Sequence, residues 1–295
     1  MSRFVSGPAA VIPAALIPAL ILPTVLLAGC LKVNVPEGAF LYPDARIAAE
    51  KIDLPVGGPF PAGSLDLSVT SADGRTVAAT RAPGDQPPGA QRALVLFCGG
   101  NMFRRSSAGA ATVRRLSAFG DVIVFDYPGY GGTPGPASFL RFRAAGEAVA
   151  DQARDLARAE GRRLIAWGHS LGGPVCAEVA RRASADALVL EATTPDARSA
   201  VMSAVGPMRL FARINIAPAL QEVDVVRSLD GYDGRVVVLE AGKDDVLPAR
   251  LSRLLEQRLR AEDIDVVRLA FPAAGHSDIK TQPDFVPRVS TALSN

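Results

Sequence analysis

Histidine and cysteine are nearly missing from this chain of 295 residues, which holds two of the first and three of the second. With so few, no Cys/His cluster has the spacing of a metal-ligand set, so neither a metal site nor a cofactor is expected. Three cysteines also cannot build the multi-bridge framework that holds small secreted domains together. Charge of one sign is lacking as well: 32 Lys and Arg stand against 30 Asp and Glu, a formal net charge of +2, and no basic run stands out. That balance gives nucleic acid no electrostatic footprint, so no nucleic-acid partner is expected. No internal repeat is visible. What remains is a chain that is 48% hydrophobic with charge of both signs, the composition of a globular domain with a sizeable core.

The longest apolar run lies at the start. Arg3 precedes an apolar stretch that reaches Leu27 and ends in Leu27-Ala28-Gly29-Cys30. Prolines at 8, 13, 18 and 23 argue against a regular membrane-spanning helix, because each removes a backbone donor and clashes with the preceding turn. A small-residue site at the end of such a run reads as a secretion signal. Its last four residues resemble a bacterial lipobox. That resemblance implies cleavage after Gly29, lipid on Cys30, and a protein anchored in the bacterial cell envelope. Leu31 rather than Asp after the cysteine resembles a lipoprotein bound for the outer membrane of a Gram-negative host. Residues 1–29 are thus expected as a signal peptide. Residues 30–63, with Pro36, Pro43, Pro55, Pro59, Pro61 and several glycines, read as the lipidated cysteine and a tether or extended entry segment.

The domain proper is expected over 64–295. Leu65 to Val69 alternates like a strand, Asp73-Gly74 is a hairpin signal, and Thr76 to Thr80 is the returning strand. Pro83 to Ala90 reads as a loop. Strands and helices then alternate: strand 93–97, helix 107–119, strand 122–125, helix 139–160, strand 163–167, helix 171–184, strand 187–191. This order predicts an α/β fold, a mostly parallel sheet covered on both faces by helices. Near-continuous apolar strands such as Val122-Ile123-Val124-Phe125 fit burial on both faces. Residues 193–233 break the pattern with Val201, Met202, Val205, Met208, Leu210, Phe211 and Ile214, a segment that reads either as a short lid over a site or as core packing. Cys98 and Cys176 fall in apolar settings and are expected as buried thiols rather than a disulfide.

The chemistry is concentrated at Gly168-His169-Ser170-Leu171-Gly172-Gly173. This is a G-x-S-x-G elbow, entered from the apolar run Leu164 to Trp167 and left through a helical stretch. A strand-to-helix turn this sharp forces unusual backbone angles on the serine and lifts its hydroxyl clear of the sheet. A serine hydroxyl is a poor nucleophile at neutral pH and needs a base within hydrogen-bond reach, itself oriented by a third group. His169 is next to Ser170 and points elsewhere, which leaves His276, on a short loop after the apolar strand Val266 to Phe271. Ser170 and His276 are therefore the candidate nucleophile and base.

Taken in order, these residues resemble the α/β-hydrolase superfamily, and within it the ABHD-like and serine aminopeptidase-like hydrolases. Gly99-Gly100-Asn101 stands where such proteins have His-Gly-Asn. Asp126-Tyr127-Pro128-Gly129-Tyr130-Gly131-Gly132-Thr133-Pro134 is similar to their Asp-Tyr-x-Gly-Tyr-Gly-x-Ser loop, and Gly275-His276-Ser277-Asp278 to their Gly-His-Asn-Asp. The likeness runs over residues 64 to 295 and implies a central sheet of about eight strands. It also implies a triad ordered Ser, acid, His. The strand Arg235 to Ala241 runs into Gly242-Lys243-Asp244-Asp245-Val246-Leu247-Pro248. The spacing to Pro248 favours Asp244 as the acid, and the spacing from Gly242 favours Asp245, so Asp244 is preferred with Asp245 as the alternate. One oxyanion donor is expected from the Leu171 amide and the second from the Asn101 or Met102 amide, after strand 93–97. Gly99 in place of the family's histidine predicts an altered wall there.

The activity these features imply is serine hydrolysis of a carboxylic ester or related acyl bond. The substrate is then a small-molecule or lipid acyl compound, and the lipid anchor makes the membrane a second partner. Thioesterase, peptidase and acyltransferase chemistry use the same elbow. A non-catalytic envelope lipoprotein that binds a partner through the fold is the reading from a different class.

Overall fold

A computed structural model describes residues 31–85, 93–207 and 211–294 of the chain. The expected signal peptide, Cys30, most of the loop through Ala90, and Met208 and Leu210 lie outside the described residues.

In chain order the strands are β1 (Leu31–Val35), β2 (Leu65–Thr70), β3 (Thr76–Ala82), β4 (Ala93–Cys98), β5 (Gly120–Phe125), β6 (Leu164–His169), β7 (Ala187–Glu191), β8 (Ala212–Ile216), β9 (Arg235–Ala241) and β10 (Val266–Phe271). The α-helices are α1 (Asp44–Ala49), α2 (Ala110–Leu116), α3 (Phe139–Ala159), α4 (Gly172–Ala183), α5 (Ala197–Val205), α6 (Pro218–Gln221), α7 (Val225–Ser228), α8 (Arg250–Ala261) and α9 (Phe285–Ser294). Among the described residues, eight strands form the central sheet in the order β2-β3-β5-β4-β6-β7-β9-β10. The hairpin β2–β3 and the pair β3–β5 are antiparallel, and every other pairing in that sheet is parallel. This is the mostly parallel sheet that the alternation of strands and helices anticipates, with the eight strands that the resemblance to the α/β-hydrolases implies.

The apolar pattern explains the layers. Every residue of β4, β5 and β7 is buried, and strands buried on both faces need helices on both sides. Successive side chains alternate across β4. Leu94, Leu96 and Cys98 join one core with Phe142 and Val149 of α3, Val175 and Val179 of α4 and Leu255 and Leu259 of α8. Val95 and Phe97 join the other with Val113 and Leu116 of α2 and Phe285 and Val289 of α9. The sheet reverses its winding at β4, where β5 lies on one side and β6 on the other. The crevice at the carboxyl ends of these strands is the position such sheets offer to a ligand.

Two expectations need correction. The helix predicted over 107–119 begins as a wide turn at Arg105–Gly109 and continues as α2 only to Leu116. The tether is the larger change. Residues 31–63 lie against the domain and are not a free extension of it. β1 pairs in parallel with β8 from Leu31↔Ala212 to Val35↔Ile216. Leu41 and Ile47 are buried, the Asp44 amide donates to the Gly129 carbonyl at 2.8 Å, and the Gly57 amide donates to the Ser106 carbonyl at 2.9 Å. Proline and glycine stop this stretch from building long elements, but its apolar residues still gain free energy by burial. Composition alone had marked it as linker.

The 193–233 segment carries α5, β8, α6 and α7. Ala197, Val201, Ile216 and Leu220 form a satellite core of their own, joined by Val35 and Phe40 from the amino-terminal segment. Phe211 stays exposed. An ion pair from Arg258 of α8 to Asp196 ties the segment to the main body.

Candidate active site

Ser170 sits between β6 and α4 with φ of 53°, a left-handed conformation that costs a non-glycine residue roughly 1–2 kcal/mol. The surroundings hold it there. Its amide donates to the Glu191 carbonyl at 2.9 Å, and its own carbonyl accepts from the Thr193 hydroxyl at 2.7 Å and the Gly173 amide at 2.9 Å. The chain passes so close to itself that a Cβ on Gly172 would lie 2.1 Å from the Cys98 carbonyl oxygen. The elbow is thereby pressed against the end of β4, where the Gly99–Met102 loop begins.

His276 reaches this serine from the loop after β10. Its Nε2 lies 2.9 Å from Ser170 Oγ, and its Nδ1 lies 2.8 Å from Asp244 Oδ2. The carboxylate can only accept, so Nδ1 carries the proton and Nε2 is free to accept from the serine hydroxyl. Asp244 is buried, and its second oxygen accepts from the amides of Val246 at 2.9 Å and Leu247 at 2.7 Å. Asp245 is exposed. Of the two adjacent aspartates, Asp244 therefore meets the histidine. The hydroxyl proton of Ser170 can pass to His276 without either group moving, because the two are already in hydrogen-bond contact and Asp244 holds the imidazole in place.

The Gly99–Met102 loop faces the elbow. A Cβ on Gly100 would come within 2.9 Å of His169 Nδ1 and 3.4 Å of Ser170 Cβ, so only glycine allows this approach. The space a side chain at Gly99 would need is filled by the Phe103 ring, 2.4 Å from an added Cβ. Asn101 Oδ1 accepts from the Tyr42 amide and the Tyr130 hydroxyl, both at 2.9 Å. Arg104 is buried beneath the loop, with Nε donating to Asp44 at 2.9 Å and its guanidinium also donating to the Tyr42 and Asn101 carbonyls. Among the described residues, no protein acceptor takes the amides of Asn101, Met102 or Leu171. Leu171 sits at the start of α4, whose amino end adds positive potential beside the serine.

Several residues here carry no local sequence signal. Glu191 and Lys280 form an ion pair of 2.5 and 2.6 Å across 89 residues, and the Trp167 indole donates to the same carboxylate at 2.8 Å. Lys280 and the Trp167 donor hold the fully buried Glu191 carboxyl below its usual range against the opposing pull of burial. A carboxylate closing the otherwise apolar strand Ala187 to Leu190 was the one available hint. His169 lies beside it, its Nε2 2.9 Å from the His276 carbonyl. Desolvation pushes the His169 pKa down to about 4. Cys98 and Cys176 are buried free thiols. Among the described residues no group of three or more His, Cys, Asp or Glu is placed to hold a metal. One turn along α4 from the serine, Pro174 and Val175 help wall a cavity of about 220 Å³ with Phe139, Leu140, Val223 and Asp224.

Comparison with known proteins agrees with this architecture. Residues 94–230 match the model of the α/β hydrolase family. An uncharacterised protein of Mycobacterium tuberculosis, Rv2307c, is 29% identical over 238 residues, covering 77% of this chain and 79% of its own. Among solved structures, the Pyrococcus furiosus esterase Pf2001 superposes with a TM-score of 0.62 at 15% identity, covering 83% of this chain and 97% of its own. A Rhizomucor miehei esterase gives 0.56 at 20% identity, covering 85% and 86%. An α/β hydrolase of Vibrio vulnificus gives 0.61 at 17% identity, covering 78% and 81%. The fold and the family match together give the chain the architecture of the α/β-hydrolases.

Proposed function

We propose that the protein is a serine hydrolase that cleaves carboxylic esters through an acyl-enzyme. The observation that carries this reading is the continuous pair of hydrogen bonds from Ser170 Oγ to His276 and on to Asp244. His276 Nε2 takes the hydroxyl proton as Oγ attacks the substrate carbonyl carbon. Asp244 keeps the imidazole in the tautomer that can accept, and stabilises the imidazolium that forms. The carbonyl oxygen, now an anion, is met by the amides of Leu171 and Asn101, with Met102 the alternate donor. Two preorganised donors aimed at that developing charge are worth several kcal/mol together, on the order of 3 kcal/mol each. His276 then protonates the leaving alkoxide, and water repeats the sequence to release the acid.

Ester cleavage is preferred to amide cleavage for two reasons. Relatives of similar fold include proteins described as esterases, and the described part of the site has no charged clamp recognised as holding a peptide terminus. Thioester cleavage is the second choice on the same machinery. We further propose export and lipid attachment at Cys30 in the bacterial envelope, on the strength of Leu27-Ala28-Gly29-Cys30.

A fluorophosphonate probe tests the catalytic reading. Covalent capture of Ser170, located by peptide mass spectrometry, supports it. Folded protein that stays unlabelled sinks it and favours a binding role.

A further inference from the structure

Ser170 and His276 come from strands on different parts of the sheet, yet their spacing has to hold to a fraction of an ångström for proton transfer. One residue touches the supports of both. The backbone carbonyl of Glu191 accepts from the Ser170 amide at 2.9 Å, and its carboxylate grips Lys280, four residues beyond His276 in the same loop. Both side chains are buried, Glu191 completely and Lys280 to within 5%. Ala192, next in the chain, is held at φ of 46°, a strained conformation that persists only where its surroundings dictate it.

A buried ion pair is a poor way to add stability. Taking both charges out of water costs about as much as their attraction returns, and apolar residues of similar volume commonly do as well. The arrangement instead fixes direction and distance, since both carboxylate oxygens are taken by Lys280 and one also accepts from Trp167. The loop has lesser fastenings: His169 Nε2 donates to the His276 carbonyl at 2.9 Å, the Lys243 amide donates to the Ala274 carbonyl at 2.8 Å, and the Gly275 amide donates to Asp278 at 2.7 Å.

We infer that the Glu191–Lys280 pair is a strut that sets the distance from Ser170 to His276, and that both are positioning residues for the reaction. The inference rests on the proposed hydrolase reading for its kinetic consequence and on geometry alone for its structural one.

The test replaces both charges, Glu191→Gln with Lys280→Met, in the otherwise intact chain. Gln still accepts from the Trp167 indole, and no charge is left unpaired. Folding is followed by emission of Trp167, the single tryptophan, and by the melting temperature. Two properties are read on the folded variant. The first is kcat and KM on p-nitrophenyl butyrate. The second is the downfield proton resonance of the His276 Nδ1–H bonded to Asp244, in a chain with only two histidines to assign. The expected result is kcat lower by about 10- to 100-fold with KM within about threefold, and a resonance that is lost or broadened. Glu191→Asp alone, which keeps the ion pair but shortens its reach, is expected to show the same pattern at about three- to tenfold, and serves if the double variant does not fold. A folded variant with kcat within twofold of the parent and an unchanged resonance overturns the strut. A parent that hydrolyses no ester but shows a resonance the variant loses overturns the hydrolase reading and leaves the strut standing. A folded parent with neither the resonance nor any ester hydrolysis overturns both.

Discussion

His169 donates from its Nε2 to the backbone carbonyl of His276 at 2.9 Å. The residue beside Ser170 thus ties down the loop that carries His276 while its own ring stays neutral. Burial accounts for the neutral state by pushing the pKa to about 4, against about 6.5 in an unfolded chain. Between those values the unfolded chain binds the extra proton and the folded one does not. Stability is therefore full above pH 6.5 and falls as pH drops toward 4. The expected outcome is a melting temperature that declines over that window and declines less in His169→Gln, which keeps a donor but does not titrate. Parallel profiles of parent and variant from pH 7 to 4 would count against it.

The adjacent aspartates should separate cleanly. Asp244 meets His276 and is held by two amides, whereas Asp245 is exposed. Asp244→Asn leaves the shape but favours the wrong imidazole tautomer, and is expected to lower kcat by about 10³- to 10⁴-fold. Asp245→Asn is expected to stay within twofold. Equal losses in steady-state assays would mean that the carboxylate beside His276 is not the orienting group.

Lipid attachment has its own check. Cys30→Ala should abolish incorporation of an alkyne fatty acid in cells and leave the protein uncleaved at Gly29. Equal labelling of parent and variant would remove the lipobox reading without touching the catalytic one.

The strands were legible because their burial is written locally. β4, β5, β7 and β9 are short apolar runs bounded by glycine and charge, and each forms within a residue or two of where the pattern puts it. The elbow was legible for a similar reason, since its glycines mark close approach of backbone to backbone. The pair Glu191 and Lys280 left almost no trace, because an ion pair closed across 89 residues leaves no spacing rule in the chain. The choice of Asp244 over Asp245 was left open for the same cause: two neighbours differ only in which way the loop turns them. The amino-terminal segment was misread because proline and glycine content reports backbone freedom, while Leu41 and Ile47 decide where the backbone goes once a core is there to receive them.

In the proposed reaction the Ser170 hydroxyl attacks the substrate. Its most direct measurement is hydrolysis of a short p-nitrophenyl ester by purified Ser170→Ala, with circular dichroism and melting temperature confirming the fold. Native-like folding and turnover reduced by at least about 10³-fold are expected. Turnover within a few-fold of the parent, from protein equally well folded, would contradict the proposed reaction.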